Sequence, residues 1–366
     1  MTLIINVRNV GSNSMPAKNP SSWLLSDLDL IPKNGRKVFS TFSCGGGSSM
    51  GYKLAGYDLI GANDIDPEMR WHYEKNLKPK LFIEAPIKDL VTMELPPELF
   101  DLDILDGSPP CSTFSMAGSR EKAWGREKHF REGQAVQVLD DLFFDYLDLV
   151  ERLMPKVIVA ENVKGMIHGN ARGYVQAVMK RLRQIGYRPQ LFLVNAADCS
   201  VPQKRERVFF VASREDLDLP PLTLNPSSKW VTAGEACSDV QDLTDAEIAH
   251  TSPAPFDLKW WPLTAKGRPY SVATIELEKR NSGFNIIRIN DQQPAPTLTA
   301  SNVLRHWDTC RSLTFREAKR IGSFPDDYEA RGELIGKYLV GMSVPPKMME
   351  VVARAIADQW FGETND

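Results

Sequence analysis

Residues 107–118 read GSPPCSTFSMAG, which sets the thiol of Cys111 directly behind Pro109 and Pro110 and frames it with Ser108, Ser112 and Thr113. Two prolines fix the backbone ahead of the sulfur, and a polar frame is unlike the apolar run that usually surrounds a structural cysteine. A thiol presented this way is a candidate nucleophile, active as the thiolate; a helix start or a nearby cation would lower its pKa from the ordinary value of about 8.5. The structural reading stays open beside it. Glu161 closes VIVAE, a stretch with no other charge, so its carboxylate is either raised in pKa by burial or paired with a cation. QKRER (203–207) sets Arg205 and Arg207 two apart at the head of FFVA, on one face of a strand; a solvated charge run is the plain alternative. CGGGSSMG (44–51) puts glycines between a β-prone run and a helix, where backbone N–H groups can approach a ligand closely, although a tight turn would use them equally well. Asp64 ends the next apolar run, the place where an acid holds a ribose diol in nucleotide-type folds. No GxxxxGK[ST] motif is present, which argues against nucleoside triphosphate hydrolysis and favours a nucleoside-bearing cofactor.

Such groups need a sheet to position them. KVFSTF, YDLIGAND, DLDILDG, VIVAENV and RVFFVAS read as strands, and between them lie helical stretches at Met50–Ala55, after Pro67, at Gln134–Met154 and at Ala171–Ile185. Strands that alternate with helices and are apolar throughout imply a mainly parallel sheet covered on both faces. Ligands bind such sheets at the carboxyl ends of the strands. CGGG, AND, SPPC and ENV all fall at strand exits, which argues for one shared site. After Arg214 the regularity fails. Residues 215–295 are rich in proline and polar residues, with isolated aromatics at Trp230, Trp260, Trp261, Tyr270 and Phe284. The expected organisation is an N-terminal extension (1–35), a main domain (36–214), a small irregular domain (215–295) and a C-terminal segment (296–366) that returns to the main domain, with helices at Thr314–Ile321 and Pro346–Trp360. Ser119–Glu132 combines five cations with Trp124 and Phe130, and reads either as a DNA-facing loop or as a solvated helix face.

A net charge of −3 gives no global attraction for nucleic acid, so any positive surface must be local. The five cysteines (Cys44, Cys111, Cys199, Cys237 and Cys310) are scattered without CxxC spacing. That argues against a disulfide framework and a zinc site, and fits a reducing compartment; no metal is expected. No apolar run approaches the roughly 18–20 residues that span a bilayer, and the first residues lack a secretory layout. A soluble cytoplasmic protein is expected, nucleoid-associated in a prokaryote, with no membrane partner.

FSCGGGSSMGYKLAGY, SPPCSTFS, ENV, QKRER and RSLTFREAKRIGSFPDDY followed by GMSVPP stand in the order found in DNA cytosine-5 methyltransferases. From about Lys37 to Ala357 the chain resembles that family, the middle irregular region apart. The resemblance implies an α/β fold: a Rossmann-like S-adenosylmethionine-dependent methyltransferase sheet with helices on both faces, plus a small irregular target-recognition domain, with double-stranded DNA between them. Cys111 matches the family's nucleophile, Glu161 its ENV glutamate, and Arg205 and Arg207 its paired arginines. Phe42, Ser43, Cys44, Gly45, Gly46 and Gly47 would border the methionine part of S-adenosylmethionine, and Asp64 its ribose. Ile65, Ile87, Ser108, Pro110 and Ser343 complete the implied cofactor set. The implied chemistry is methyl transfer to C5 of a flipped-out cytosine, as in restriction–modification. Cys111 would add to C6, Glu161 would serve N3, Arg205 would face the base carbonyl, and Ser112–Glu132 would close over the DNA. A tRNA cytosine-5 methyltransferase and a non-catalytic DNA-binding regulator are the alternatives. One chain carries every expected part, which points to a monomer. It departs from the family pattern at Cys44, where glycine is usual, and at Pro86, where an acid would meet adenine. It departs again at Gly322, where glutamine is common, and at Met342, where the final motif usually has asparagine.

Overall fold

The computed structural model describes residues 19–110, 127–128, 137–138, 142–168, 172–226, 228–283, 285–301 and 303–362. The chain enters the sheet at β1 (Lys37–Thr41) and passes through α1 (Gly47–Leu54), β2 (Asp58–Asp64), α2 (Pro67–Leu77), β3 (Phe82–Glu84) and α3 (Ile87–Leu90) to β4 (Ile104–Gly107). A two-residue ladder then joins β5 (Glu127–Lys128) to β6 (Gln137–Val138). There follow α4 (Leu142–Leu153), β7 (Val157–Val163), α5 (Arg172–Gln184), β8 (Tyr187–Asn195), β9 (Gln203–Lys204) and β10 (Glu206–Arg214). The main sheet is seven-stranded, in the order β3-β2-β1-β4-β7-β10-β8. The ladders from β3 to β7 are parallel, while β10 runs antiparallel to both its neighbours.

Side chains alternate across the pleat, and both faces of these strands are apolar. Phe39, Leu105, Ile158, Ala160 and Phe210 join one core cluster with Leu142, Tyr146, Leu149 and Val150 of α4 and Val178 and Leu182 of α5. Val38, Ile104, Val157, Val159 and Phe209 join the other with Tyr52 of α1. Met348, Met349, Val352 and Ile356 of α12 (Pro346–Ile356) complete that second cluster. Helices therefore cover both faces. α2 starts where the sequence says it should: Asp66 caps the Glu68 N–H, and Pro67 takes the first turn, where its missing donor is harmless.

Two elements differ from the sequence expectation. The helix expected from Gln134 begins at Leu142, because Gln137 and Val138 are paired in the β5–β6 ladder. β8 is a nine-residue strand that the sequence pattern hides behind Arg188, Pro189 and Gln190. It lies at the sheet edge, where a proline's missing N–H breaks no inner ladder.

Beyond β10 come α6 (Ala233–Ala236), α7 (Asp245–Thr251), α8 (Pro255–Trp260), α9 (Tyr270–Glu278), and the two-residue strands β11 (Ile287–Arg288), β12 (Ala295–Pro296) and β13 (Leu304–Arg305). α10 (Phe315–Ile321) and α11 (Glu333–Met342) lead into α12. The return to the sheet is pinned by β12 pairing with β9 and by Gln203, whose amide oxygen accepts from Leu298 N–H at 3.0 Å. The described part of the N-terminal extension packs on this region: Trp23 donates from Nε1 to Ser323 O at 3.0 Å, and Ser22 bonds Asp326 at 2.6 Å. No described helix is long and apolar enough to cross a membrane.

β4 ends on a position with no spare volume. A Cβ at Gly107 would stand 2.7 Å from Tyr146 Cε2 and 2.9 Å from Thr41 Oγ1. Gly107→Ala is expected to destabilise the fold by about 1–3 kcal/mol, the usual effect of overpacking a filled core. Chemical denaturation, with an unchanged slope and a lowered midpoint, checks it.

Candidate active site

β1 exits into a turn whose backbone alternates in handedness. Phe42, Cys44 and Gly46 have φ of 51°, 46° and 80°. Left-handed backbone at a non-glycine residue costs about 1–2 kcal/mol, so two such residues in five mark a turn held in place by its surroundings. The holding groups are visible. Cys44 N–H donates to Asp64 Oδ2 at 2.8 Å, Tyr328 OH donates to Gly45 O at 2.9 Å, and Ser43 N–H donates to Asn63 O at 3.1 Å. A Cβ at Gly47 would lie 2.1 Å from Val344 O, so the C-terminal return presses directly on the turn.

Asp64 also accepts from Asp66 N–H at 3.0 Å. Burial pushes its carboxyl up to about 6, with the Asp66 and Cys44 N–H groups pulling the other way. Ile65 follows it at the β2 exit, half-buried. Ile87 is buried at the start of α3, with Pro86 as its N-cap residue, so this corner offers no acid at position 86.

β4 and β7 leave the sheet side by side, Gly107 in register with Ala160. Past them, Ser108 and Pro110 are half-buried and Pro109 is buried. Asn162 Nδ2 donates to Pro109 O at 2.9 Å, fixing the proline segment against the ENV strand. Glu161 is 8% exposed and accepts from Arg207 Nε at 2.8 Å. Of the two sequence readings for Glu161, burial alone or an ion pair, the structure shows the pair.

Arg205, expected at the base carbonyl, and Arg207 take different partners. Arg207 is the one that meets Glu161. Arg205 is 2% exposed and donates from Nη1 to Leu298 O at 2.8 Å and to Gly341 O at 3.0 Å. Burial lowers the proton affinity of both guanidinium groups, more so at Arg205, where Arg207 adds like-charge repulsion.

Cys111 lies outside the described residues, as does Ser112–Glu132 apart from Glu127 and Lys128. The other four cysteines are held as thiols by burial: Cys44 and Cys199 are pushed up to about 12, and Cys237 and Cys310 are also raised. None of those four is prepared as a nucleophile at neutral pH.

Among the described residues, three buried side-chain polar atoms lack a hydrogen-bond partner: Ser43 Oγ, Ser343 Oγ and Arg205 Nε. Ser343 Oγ would lie 3.3 Å from a Cβ at Gly45, and the two serines flank the strained turn. Buried orphans are rare and call for a partner. The strained turn, the carboxylate at the β2 exit and the orphaned hydroxyls fit the amino-acid and ribose ends of S-adenosylmethionine. Among the described residues, no group of three or more His, Cys, Asp or Glu side chains could hold a metal ion.

Sequence reasoning named no role for Asn162, Gln203, Tyr328 or Asp106. Asn162 and Gln203 stand inside motifs already singled out, which was the available signal. Asp106 was one of three aspartates in the run DLDILDG, and nothing in the sequence set it apart from Asp101 and Asp103.

The family model of the C-5 cytosine-specific DNA methylases matches residues 36–358. The chain is 28% identical to the Type II methyltransferase M.FnuDI of Fusobacterium nucleatum, covering 88% of this chain and 94% of that one. It is 27% identical to M.NgoPII of Neisseria gonorrhoeae, covering 88% and 96%. In fold it is similar to DNMT2 of Spodoptera frugiperda, with a TM-score of 0.61 and 16% identity over 88% of this chain and 100% of that one. The chain belongs to the C-5 cytosine-specific DNA methylase family and is a DNA cytosine-5 methyltransferase.

Proposed function

We propose that the chain methylates C5 of a cytosine rotated out of double-stranded DNA, by way of a covalent bond between Cys111 and C6. The observation that carries this reading is the Glu161–Arg207 pair standing beside the proline segment that Asn162 holds, one residue short of Cys111. S-adenosylmethionine, when bound, supplies a methyl group on a positively charged sulfur. Ser43 and Asp64 at the β1 and β2 exits, with Ser343 at the end of α11, would hold it.

Cytosine C5 is a weak nucleophile. Addition of the Cys111 thiolate at C6 pushes the electrons of the C5=C6 bond to C5, which can then take the methyl group; covalent catalysis splits one hard step into easier ones. Electron density also moves toward N3 and the ring carbonyl. Glu161 holds a proton at N3. Arg207, held by Glu161 at 2.8 Å, would donate to the carbonyl oxygen and orient the ring. Removal of the C5 proton by a base, water included, then expels Cys111. Arg205 acts through others: it fixes the Leu298 and Gly341 carbonyls and so sets the floor on which Ser343 stands.

C6 is out of reach inside a duplex, so the base must leave the stack, at a few kcal/mol. Residues 215–295 would read the target, residues 296–366 return to the catalytic domain, and the cations of Ser112–Glu132 would contact DNA phosphates. Relatives named Type II methyltransferases support a place in restriction–modification. Bisulfite sequencing of DNA from cells that express the chain tests the reading as a whole, since it reports both the modified base and its flanks.

Cys111→Ala is expected to abolish transfer while leaving S-adenosylmethionine binding intact; residual methylation above background would remove Cys111 as nucleophile. Glu161→Gln is expected to slow single-turnover transfer by roughly 10²–10⁴-fold, the span of general acid catalysis, and an effect below tenfold counts against it. The ionised Asp64 carboxylate is the form that accepts from ribose hydroxyls, and its pKa is about 6. Cofactor affinity should therefore hold above that pH and weaken as pH falls through it. Calorimetric titration of the wild type and of Asp64→Asn checks this, the variant being weaker and flat across the same range.

A further inference from the structure

Arg205 is a buried cation whose hydrogen bonding is incomplete. It is 2% exposed, and its Nη1 meets the carbonyls of Leu298 and Gly341 at 2.8 and 3.0 Å. Its Nε is buried and has no partner among the described residues. Carbonyls supply dipoles, not a counter-ion. The carboxylate that acts on Arg205 is Glu161, which already accepts from Arg207 Nε at 2.8 Å. Two guanidinium groups therefore share one carboxylate in a region withdrawn from water, where unmatched charge is costly. Arginine keeps its proton in proteins, so one positive charge is left over there.

The return stretch fixes where that charge sits. Gly341, whose carbonyl takes Nη1, lies two residues before Ser343 at the end of α11. Ser343 Oγ is a second buried orphan, 3.3 Å from where a Cβ on Gly45 would stand, and Ser43 Oγ in the same turn is the third. Cys44, between them, is close enough for its sulfur to act on Arg205, but burial holds it as a thiol, so it brings no negative charge. One cationic N–H and two hydroxyls thus border the cofactor turn without partners. A carboxylate, acceptor-only with about four lone-pair sites, is the group that such a set satisfies.

The reaction brings two kinds of anion to this end of the sheet, a DNA phosphate and the carboxylate of the cofactor's amino-acid end. Phosphates lie on the outside of the duplex and meet cations at a protein's surface. Arg205 is walled in by the Leu298 and Gly341 carbonyls and is 2% exposed. Its neighbours on the return stretch lead to the glycine turn, where the two orphaned serines are. The observations favour the cofactor.

We propose that Arg205 is the countercharge for the carboxylate of S-adenosylmethionine, acting with the Ser43 and Ser343 hydroxyls, and that it selects ligands carrying that carboxylate. This rests on the cofactor reading above and adds a specificity-determining residue to it. Coulomb attraction is several-fold stronger in a site withdrawn from water than in bulk solvent. The same charge sets polarity: the cofactor's ammonium and sulfonium groups share its sign and are turned away from the return stretch, while the carboxylate is drawn toward it.

The test is calorimetric titration with S-adenosylhomocysteine, the demethylated product, and with its decarboxylated analogue, in which hydrogen replaces the carboxylate. Neither ligand donates a methyl group, so the readout is binding alone. The wild-type chain is expected to bind the carboxylate form roughly 10–100-fold more tightly, the span of a hydrogen bond to a charged group. Arg205→Met removes the charge and keeps much of the bulk. It should weaken S-adenosylhomocysteine by that factor and leave the decarboxylated analogue within about threefold, so the preference disappears. A merely structural Arg205 would weaken both ligands alike and keep the preference, which overturns the inference. If Arg205→Met does not fold, Arg205→Lys decides. Its ammonium can serve the two carbonyls but has no planar second edge for a carboxylate, so the preference should fall by about threefold or more, and an undiminished preference overturns the inference. A preference kept in Arg205→Met, with the slope of duplex affinity against salt reduced by about one, gives the charge to a DNA phosphate and overturns it too. A wild-type chain that binds neither ligand overturns the cofactor reading itself; one that binds both equally overturns only the role of Arg205.

Discussion

A carboxylate withdrawn from water at the end of an apolar strand must be paired or protonated, and this constraint at Glu161 organises the rest of the site. Its partner Arg207 sits on β10, the one antiparallel strand inserted among parallel neighbours, at a register that sets Arg207 against Val163 and Phe209 against Glu161. Two residues earlier the same segment buries a second guanidinium, and Arg205 needs acceptors of its own. It finds them in the carbonyls of Leu298 and Gly341. Those residues lie on the stretch that returns after the irregular region, so satisfying one buried cation draws that stretch onto the sheet. Two residues past Gly341 stands Ser343, against the glycine turn. Two buried guanidinium groups two residues apart are thus satisfied in opposite directions, Arg207 by Glu161 and Arg205 by the return stretch that carries Ser343 against the glycine turn.

The return segment carries its own buried charges, and they follow the same rule. Glu317 is 1% exposed and takes Arg311 through both oxygens at 2.7 and 2.8 Å, while Arg320 is clamped between Asp239 and Asp326. Breaking a buried pair from one side costs more than the pair contributes, since the remaining charge is left without a partner. Such pairs are weak sources of net stability and strong determinants of register. That suits a segment which must present the Leu298 and Gly341 carbonyls at fixed points.

What could be read from the sequence follows from what each residue's type reveals about its surroundings. β1, β2, β4, β7 and β10 were legible because parallel strands covered on both faces are apolar throughout. β8 was not, because an edge strand tolerates Arg188, Pro189 and Gln190. The proline–cysteine segment, Glu161 and the arginine pair stood out as motifs, but not the different partners the two arginines take. Alternation gives a shared face; it does not say which of two residues lies deeper or which carbonyls wait for it. Asp64 was legible as an acid at a strand exit, while its capture by Cys44 and Asp66 N–H groups depends on a backbone turn that composition does not encode. Asp106 went unread because it is one of three aspartates in DLDILDG, and only the sheet register shows it buried in the row below Glu161.

The departure from the family pattern at position 44 has a physical account that its neighbours do not share. Cys44 holds a φ of 46°, where a side chain costs about 1–2 kcal/mol relative to glycine. Its sulfur is packed 3.7 Å from Met69 Sδ, and its N–H is bound to Asp64. Burying a small apolar group returns about 1 kcal/mol, so the exchange is close to neutral and the turn keeps its shape. No such exchange is open at Gly47, where the Cβ of any other residue would sit 2.1 Å from the Val344 carbonyl oxygen. The strained position accepts a side chain because space exists beside it. The relaxed one refuses because the C-terminal return has already filled that space, and with it fixed the place of Ser343.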